Sequence, residues 1–243
     1  MPQSFAYILN QRPFRDSSVL VDIFTEDYGQ ICCVARPARK RGKILKGSLE
    51  QFRYLKIQWI GKGNVQTLTE ADERGRHNIP PSEMMLGLYL NELILLFTQH
   101  HIEQKKLFSA YKYTLHKLAD PVINRQILMR FEIYLLATLG FSLDLPATDS
   151  SNNNQVKVED KTENKGKDKA NIRYIFTEEN GLVAEQSQPL VSNGIFIQAD
   201  LLLALQDIQS MQESHWQTLR VFLDKVLARL APRAINTRKF LNL

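Results

Sequence analysis

The hydrophobic period of this chain changes once, at Pro80-Pro81, and that change constrains the fold more than any other feature. Before it, residues 5–71 read as short apolar runs cut by turn residues. Phe5-Ala-Tyr-Ile-Leu precedes the polar turn Gln11-Arg-Pro-Phe-Arg-Asp, and Val19–Thr25 closes with Asp27-Tyr-Gly. Ile31–Ala35 is a third run. Leu55, Ile57 and Trp59 then alternate with Tyr54, Lys56 and Gln58, the period of a half-buried strand. Gly61-Lys-Gly-Asn turns the chain into Val65-Gln-Thr-Leu-Thr. Five strands in about 70 residues without a helix signal predict a small closed barrel, an OB-fold or an SH3-like barrel.

After Pro81 the period is helical. Ser82 is a candidate N-cap for a helix carrying Met85, Leu86, Tyr89, Leu93, Leu96 and Phe97, apolar on most sides. A second helix is predicted over 105–118. A third, over 122–139, follows Asp120-Pro121 and stops at Gly140. Residues 147–171, Ser-Ser-Asn-Asn-Asn-Gln and then Lys, Glu, Asp and Asn, hold almost nothing to bury and predict a solvated, disordered insertion. Ile172–Phe176 and Gly181–Ala184 suit a short hairpin, and 200–209 and 215–230 two further helices. The expected fold class is therefore α+β: a five-stranded N-terminal barrel over 1–80 and a helical domain over 81–243.

The richest apolar stretch, Met84–Phe97, is shorter than the roughly 18–20 residues a bilayer helix needs and contains Asn91 and Glu92. The opening Met-Pro-Gln-Ser has neither a basic nor an apolar leader region, so a cytoplasmic protein is expected. Cys32 and Cys33 are neighbours on one strand and point to opposite faces, one buried and one at the surface. They cannot easily pair, and they form no metal-ligand pattern.

Charge is unevenly distributed. Residues 1–80 hold 13 Lys/Arg against 8 Asp/Glu, residues 81–214 hold 12 against 17, and residues 215–243 hold 6 against 1. Two basic ends around an acidic middle point to a polyanion partner. The sharpest signal is residues 36–46: Arg36, Arg39, Lys40, Arg41, Lys43 and Lys46, six cations in eleven residues with no acid. Pro37 and Gly42 place this run in a loop between strands, where its cations can displace counterions from a phosphate chain. The competing reading is a solvated loop that only confers solubility. Of the nearby aromatics Phe14, Tyr28, Phe52 and Tyr54, the last two share a strand face opposite the Trp59 face and are the expected base-stacking pair.

Enzyme motifs are missing. Gly42 and Gly47 have phosphate-loop spacing, but Ser48 stands where Lys belongs. Gly61-x-Gly63 lacks a third glycine, and His100-His101 is not followed by a metallohydrolase pattern. No catalytic residue, cofactor or metal is expected.

Several stretches together resemble the RecO family of bacterial DNA-repair proteins. They are Asp22-x-Phe24-Thr-Glu-x-x-Gly29, the basic loop with Leu45-Lys-Gly-Ser-Leu49, Tyr89-Leu-Asn-Glu-Leu93, Arg130-Phe-Glu132 with Leu135-Leu136 and Leu139-Gly-Phe141, and Thr237-Arg238. The likeness covers most of the chain except about 147–171 and rests on the order and spacing of the motifs. It implies an N-terminal OB-fold, a helical domain and no turnover. It also implies binding to single- and double-stranded DNA, strand annealing and partnership with RecR. With RecR, and RecF in some pathways, the family helps RecA replace single-strand-binding protein (SSB), whose acidic, aromatic-ended tail would enter an apolar pocket flanked by cations. Many relatives carry a four-cysteine zinc motif after the third helix; this chain has no cysteine there, so zinc is not expected.

The expected DNA contacts are the six loop cations, Arg12 across the barrel, and a second patch of Arg229, Arg233, Arg238 and Lys239. Glu92, Arg130 and Glu132 are read as charges that pair inside the helical domain. An RNA-binding OB protein and a non-catalytic scaffold for an acidic protein are the alternatives; a nuclease is a more distant one.

Overall fold

The computed structural model describes residues 1–15, 17–36, 49–120, 126–144, 172–185, 194–207 and 211–241. Most of the basic loop and the polar insertion at 147–171 lie outside these residues. Five strands, β1 (Gln3–Phe14), β2 (Ser18–Thr25), β3 (Gly29–Ala35), β4 (Arg53–Ile60) and β5 (Gln66–Arg76), close into a barrel in the order β1-β2-β3-β5-β4. Only β3 and β5 run parallel, through Cys33↔Gln66 and Val34↔Thr67. This closure selects the OB-fold from the two barrels that the sequence allows.

Alternation fills the barrel. Ile8, Val21, Ile23, Ile31, Leu55, Ile57 and Trp59 all point into one core. The outer face of β1–β3 is buried too. Tyr7, Phe24, Phe108 and Tyr111 pack ring against ring at 5.3–5.8 Å, Phe108 and Tyr111 coming from α2 (Lys105–Leu118). That is why Phe5–Leu9 and Val19–Thr25 read as continuous apolar runs: helices cover the second face.

A bulge between Ile8 and Asn10 lets β1 bend around the barrel and leaves Leu9 outside the ladder. Its carbonyl accepts from the amides of Asn91 (2.9 Å) and Gln51 (2.9 Å). Asn91 lies on α1 (Met84–Phe97) and itself accepts from the Tyr111 hydroxyl at 2.6 Å. Gln30 makes a parallel tie, donating to Ile94 O and Thr98 Oγ1, each at 2.7 Å. α1 and α2 are thus fixed to the barrel by polar groups with defined partners, as well as by apolar burial.

Compactness divides the chain into Met1–Tyr134 with Ala231–Leu243, and Leu135–Leu230. The first unit gathers α1, α2 and a closing 3-10 turn, Thr237–Phe240, with the barrel. α3 (Gln126–Thr138) crosses the division. It ends as predicted at Gly140, whose φ of +92° lets the Phe141 amide donate to Leu136 O at 2.8 Å. In the second unit, β6 (Arg173–Thr177), β7 (Gly181–Ala184) and β8 (Ile195–Gln198) form a sheet in the order β7-β6-β8. The helices α4 (Ala199–Gln206) and α5 (Glu213–Leu230) follow, with Phe222 edge-on to Phe176.

Several expectations need correction. β1 continues through the residues read as a turn, pairing Arg12 with Leu20 and Pro13 with Val19, because the hairpin with β2 runs on to Phe14↔Ser18. Ser82 makes no capping bond; it sits in a 3-10 turn, Pro81–Glu83, whose chain direction is set by proline. Both cysteines are buried, Cys33 in the barrel core and Cys32 outside it beside Asp22. β8 was not foreseen.

Replacing Asn91 by Leu leaves the Tyr111 hydroxyl without its acceptor and removes one of two donors to Leu9. Urea unfolding should show a loss of about 2–4 kcal/mol. Adding Tyr111→Phe should return about 1 kcal/mol or more, because no stranded hydroxyl remains. Additive losses would show that the two groups are not coupled.

Candidate nucleic-acid interface

Barrel register determines which cations can act together. Arg12 pairs with Leu20, Leu20 with Val34, and Val34 with Thr67, so these four lie on one rung. Arg12 is exposed, and exposed Arg36 follows directly on β3. Two strand spacings separate the rung positions of Arg12 and Val34, about 10 Å. Arg12 and the entrance to the basic loop therefore share one side of the barrel. Arg15, at the hairpin tip with φ +54°, holds its guanidinium 5.1 Å from the Phe14 ring centroid. Arg39, Lys40, Arg41, Lys43 and Lys46 lie outside the described residues.

The expected stacking pair is corrected. Phe52 adopts φ +63°, which breaks the alternation extrapolated back from β4 and turns the ring inward, leaving it 5% exposed. It packs against Gly87 of α1 so closely that a Cβ at Gly87 would lie 2.8 Å from its ring. Tyr54 is half-buried and already engaged: it stacks on Phe5 at 5.0 Å, and the Lys112 ammonium stands 3.8 Å from its centroid. Tyr28, also named from sequence, is 40% exposed and meets Trp59 edge-on. Tyr113 on α2 is 54% exposed and was missed. The signal was present in Lys105–Leu118, which contains four lysines and no acid.

In the C-terminal segment Arg233 and Lys239 are exposed, whereas Arg238 is half-buried with Nη1 shielded from solvent. Arg238 thus belongs partly to the protein's own packing, a revision of its role as a free phosphate contact. Arg229 is exposed on the last turn of α5. The segment is held by Glu92, whose carboxylate accepts from the Asn236 and Thr237 amides, each at 2.8 Å, and from the Thr237 hydroxyl at 2.5 Å. Burial pushes the Glu92 pKa up, but those donors outweigh it and hold the carboxyl below its ordinary value. Glu132 is fully buried and accepts from the Tyr89 hydroxyl.

Burial pushes the Cys32 thiol up to about 11 and the Cys33 thiol to about 12, which removes both as nucleophiles at neutral pH. His77 bonds to the Tyr7 hydroxyl at 2.9 Å; burial first, then the charges of His116 and Lys112, lower it to about 4. No group of three or more His, Cys, Asp or Glu among the described residues is arranged to hold a metal. No helix among them is long and apolar enough to cross a membrane.

Comparison with known proteins finds two family models, described as recombination protein O N terminal, over residues 1–74, and recombination protein O C terminal, over residues 81–238. Among similar proteins is a DNA repair protein RecO of Sodalis glossinidius, 39% identical over 142 residues, 57% of this chain and 54% of the relative. The namesake of Serratia proteamaculans is 39% identical over 142 residues, 57% of this chain and 58% of the relative. That of Ralstonia nicotianae is 36% identical over 144 residues, 59% and 53%. The chain thus spans little more than half the length of the relatives it matches.

Two outcomes follow. Glu92→Gln weakens the charge-assisted bonds to the tail, and the Asn236 and Thr237 amides should exchange hydrogen about tenfold faster. Unchanged exchange would mean that the carboxylate does not hold them. For His77, the unfolded chain takes up a proton near pH 6.5 and the folded chain only near 4. Its contribution is therefore complete above about 6.5 and is lost as pH falls towards 4. Thermal melts across that window should fall more steeply for the native protein than for His77→Gln.

Proposed function

The chain belongs to the RecO family, and on that premise we propose that it is a recombinational DNA-repair mediator. It binds single- and double-stranded DNA, anneals complementary strands and performs no catalytic turnover. The observation that supports this reading best is the acid-free run of six cations, whose first member, Arg36, leaves β3 on the same side of an OB-type barrel as exposed Arg12. Bringing two strands together opposes two polyanions, and Lys and Arg offset that repulsion by releasing counterions from each. Arg36, Arg39, Lys40, Arg41, Lys43 and Lys46 hold one strand in this scheme. Arg233 and Lys239, with part of Arg238, supply a second patch. The barrel, 1–80, is the DNA-binding domain, and the helical part, 81–243, carries protein contacts.

RecR is the expected partner in loading RecA onto SSB-coated gapped DNA, with RecF in some settings; the protein works in the cytoplasm, at the nucleoid. A cleft of about 330 Å³ beside α5 supports the SSB-tail contact. It is lined by Ile195, Phe196, Ile197, Val221 and Phe222, with Lys225 at its edge. The Arg173 guanidinium, ion-paired with Glu185 at 3.5 Å, stands 4.5 Å from the Phe196 centroid. An apolar trough with flanking cations suits an acidic peptide ending in an aromatic residue.

If all six loop cations contact phosphates, single-strand affinity should fall with salt at a log–log slope of about −4. Replacing Arg39, Lys40 and Arg41 together by Ala should flatten the slope to about −2 and slow annealing of SSB-coated complementary oligonucleotides. An unchanged slope removes the loop from the DNA site. Preference for RNA over DNA of one sequence would favour an RNA-binding protein instead.

A further inference from the structure

A second cleft, of about 360 Å³, lies between the barrel and α2, away from the rung that carries Arg12. Its size falls at the low end of the range for small-ligand sites. One wall is aromatic: buried Phe108, continuous with the Tyr7 and Tyr111 rings, and exposed Tyr113. Its polar groups are of two opposed kinds. Lys112, His116 and Ser109 offer donors, and Glu26 offers an acceptor. None of these four side chains makes a hydrogen bond or ion pair with another described residue. Lys112 is nevertheless held in place on the Tyr54 ring, and the His116 ring stands 6.4 Å from that of His77. Lys105, by contrast, is committed to Asp27 and Glu103, both at 3.3 Å, and takes no part.

We propose that this cleft binds one nucleoside 5′-phosphate unit, with the base against Tyr113, the phosphate on Lys112 and His116, and the base edge read by Glu26. The opposed polarity selects this chemistry. Inorganic phosphate would use the cations but neither the aromatic wall nor the carboxylate. An acidic peptide would be repelled by Glu26. A nucleotide has an anionic end, a flat π-face and a donor edge, which fit the three parts of the wall. Guanine fits best, because its N1–H and N2–H present two parallel donors to a carboxylate; thymine presents only N3–H. The unit comes either from an unpaired strand or as a free nucleotide, and the strand source rests on the DNA-binding reading above.

Calorimetric titration of the full chain with dGMP, dTMP and sodium phosphate tests the site. Binding of dGMP is expected to exceed that of dTMP and of phosphate at least tenfold. Tyr113→Ala and Lys112→Ala should each weaken dGMP about tenfold, Tyr113→Phe should keep it, and Glu26→Gln should erase the preference over dTMP. Thermal melts of these variants report folding separately. A dT oligonucleotide with one central dG, compared with all-dT, identifies the source. A gain that is lost in Tyr113→Ala assigns the site to an extruded base, and a dGMP response with no such gain assigns it to the free nucleotide. The Arg39, Lys40 and Arg41 triple-Ala variant should lose strand affinity yet keep dGMP. Failure of that loss counts against the loop reading alone. No dGMP binding at millimolar concentration, equal binding of phosphate, or indifference to Tyr113→Ala and Lys112→Ala overturns the proposal.

Discussion

The first compact unit depends on the carbonyl of Leu9. A closed five-stranded barrel must bend its first strand, and the bulge that bends it turns one peptide group out of the ladder. Buried without a donor, that group would cost about as much as one or two kcal/mol of stability. Asn91 from α1 and Gln51 from the segment before β4 supply donors, and Tyr111 from α2 orients Asn91. Four separate parts of the chain are thereby brought into register by one oxygen. Apolar burial favours contact of any kind between helix and barrel. This network favours one seat.

The seat has a functional consequence. Helices α1 and α2 cover the outer faces of β1 to β3 at Tyr7, Phe24 and Gln30, surfaces that an OB barrel would otherwise leave open. Exposed positions on β1 include Gln11, Arg12 and Pro13, and Arg12 shares a rung with Val34, close to the end of β3 from which the basic run departs. On the proposed reading, the cations on this side would meet a polyanion's phosphates first.

Much of this was legible in the residues. Leu55, Ile57 and Trp59 announced their inward face, the helix over 105–118 was bounded correctly, and Gly140 marked a stop that its φ bears out. The misreadings share a physical origin: each was a place where tertiary contact overrides local pattern. Phe52 sits in the turn directly before β4, whose alternation does not extend to it. Cys32, on the outer face of β3, reads as a surface residue from alternation alone, yet it is 7% exposed. β8, four residues long, has too few positions to display a period, and it exists because β6 offers it an edge. Tyr113 was overlooked because the packing face of α2 is more conspicuous than its lysine-rich back.

The grip of Glu92 on Asn236 and Thr237 spans 144 residues of chain. The first unit is therefore discontinuous: it opens at the barrel and is completed only by a segment translated after the whole of the second. At a synthesis rate of roughly 5–20 residues per second, between about seven and thirty seconds separate the synthesis of the carboxylate from that of its partners. The barrel and α1 must hold together on their own through that interval. During synthesis the tail can close onto Glu92 only after the whole of the second unit has been made.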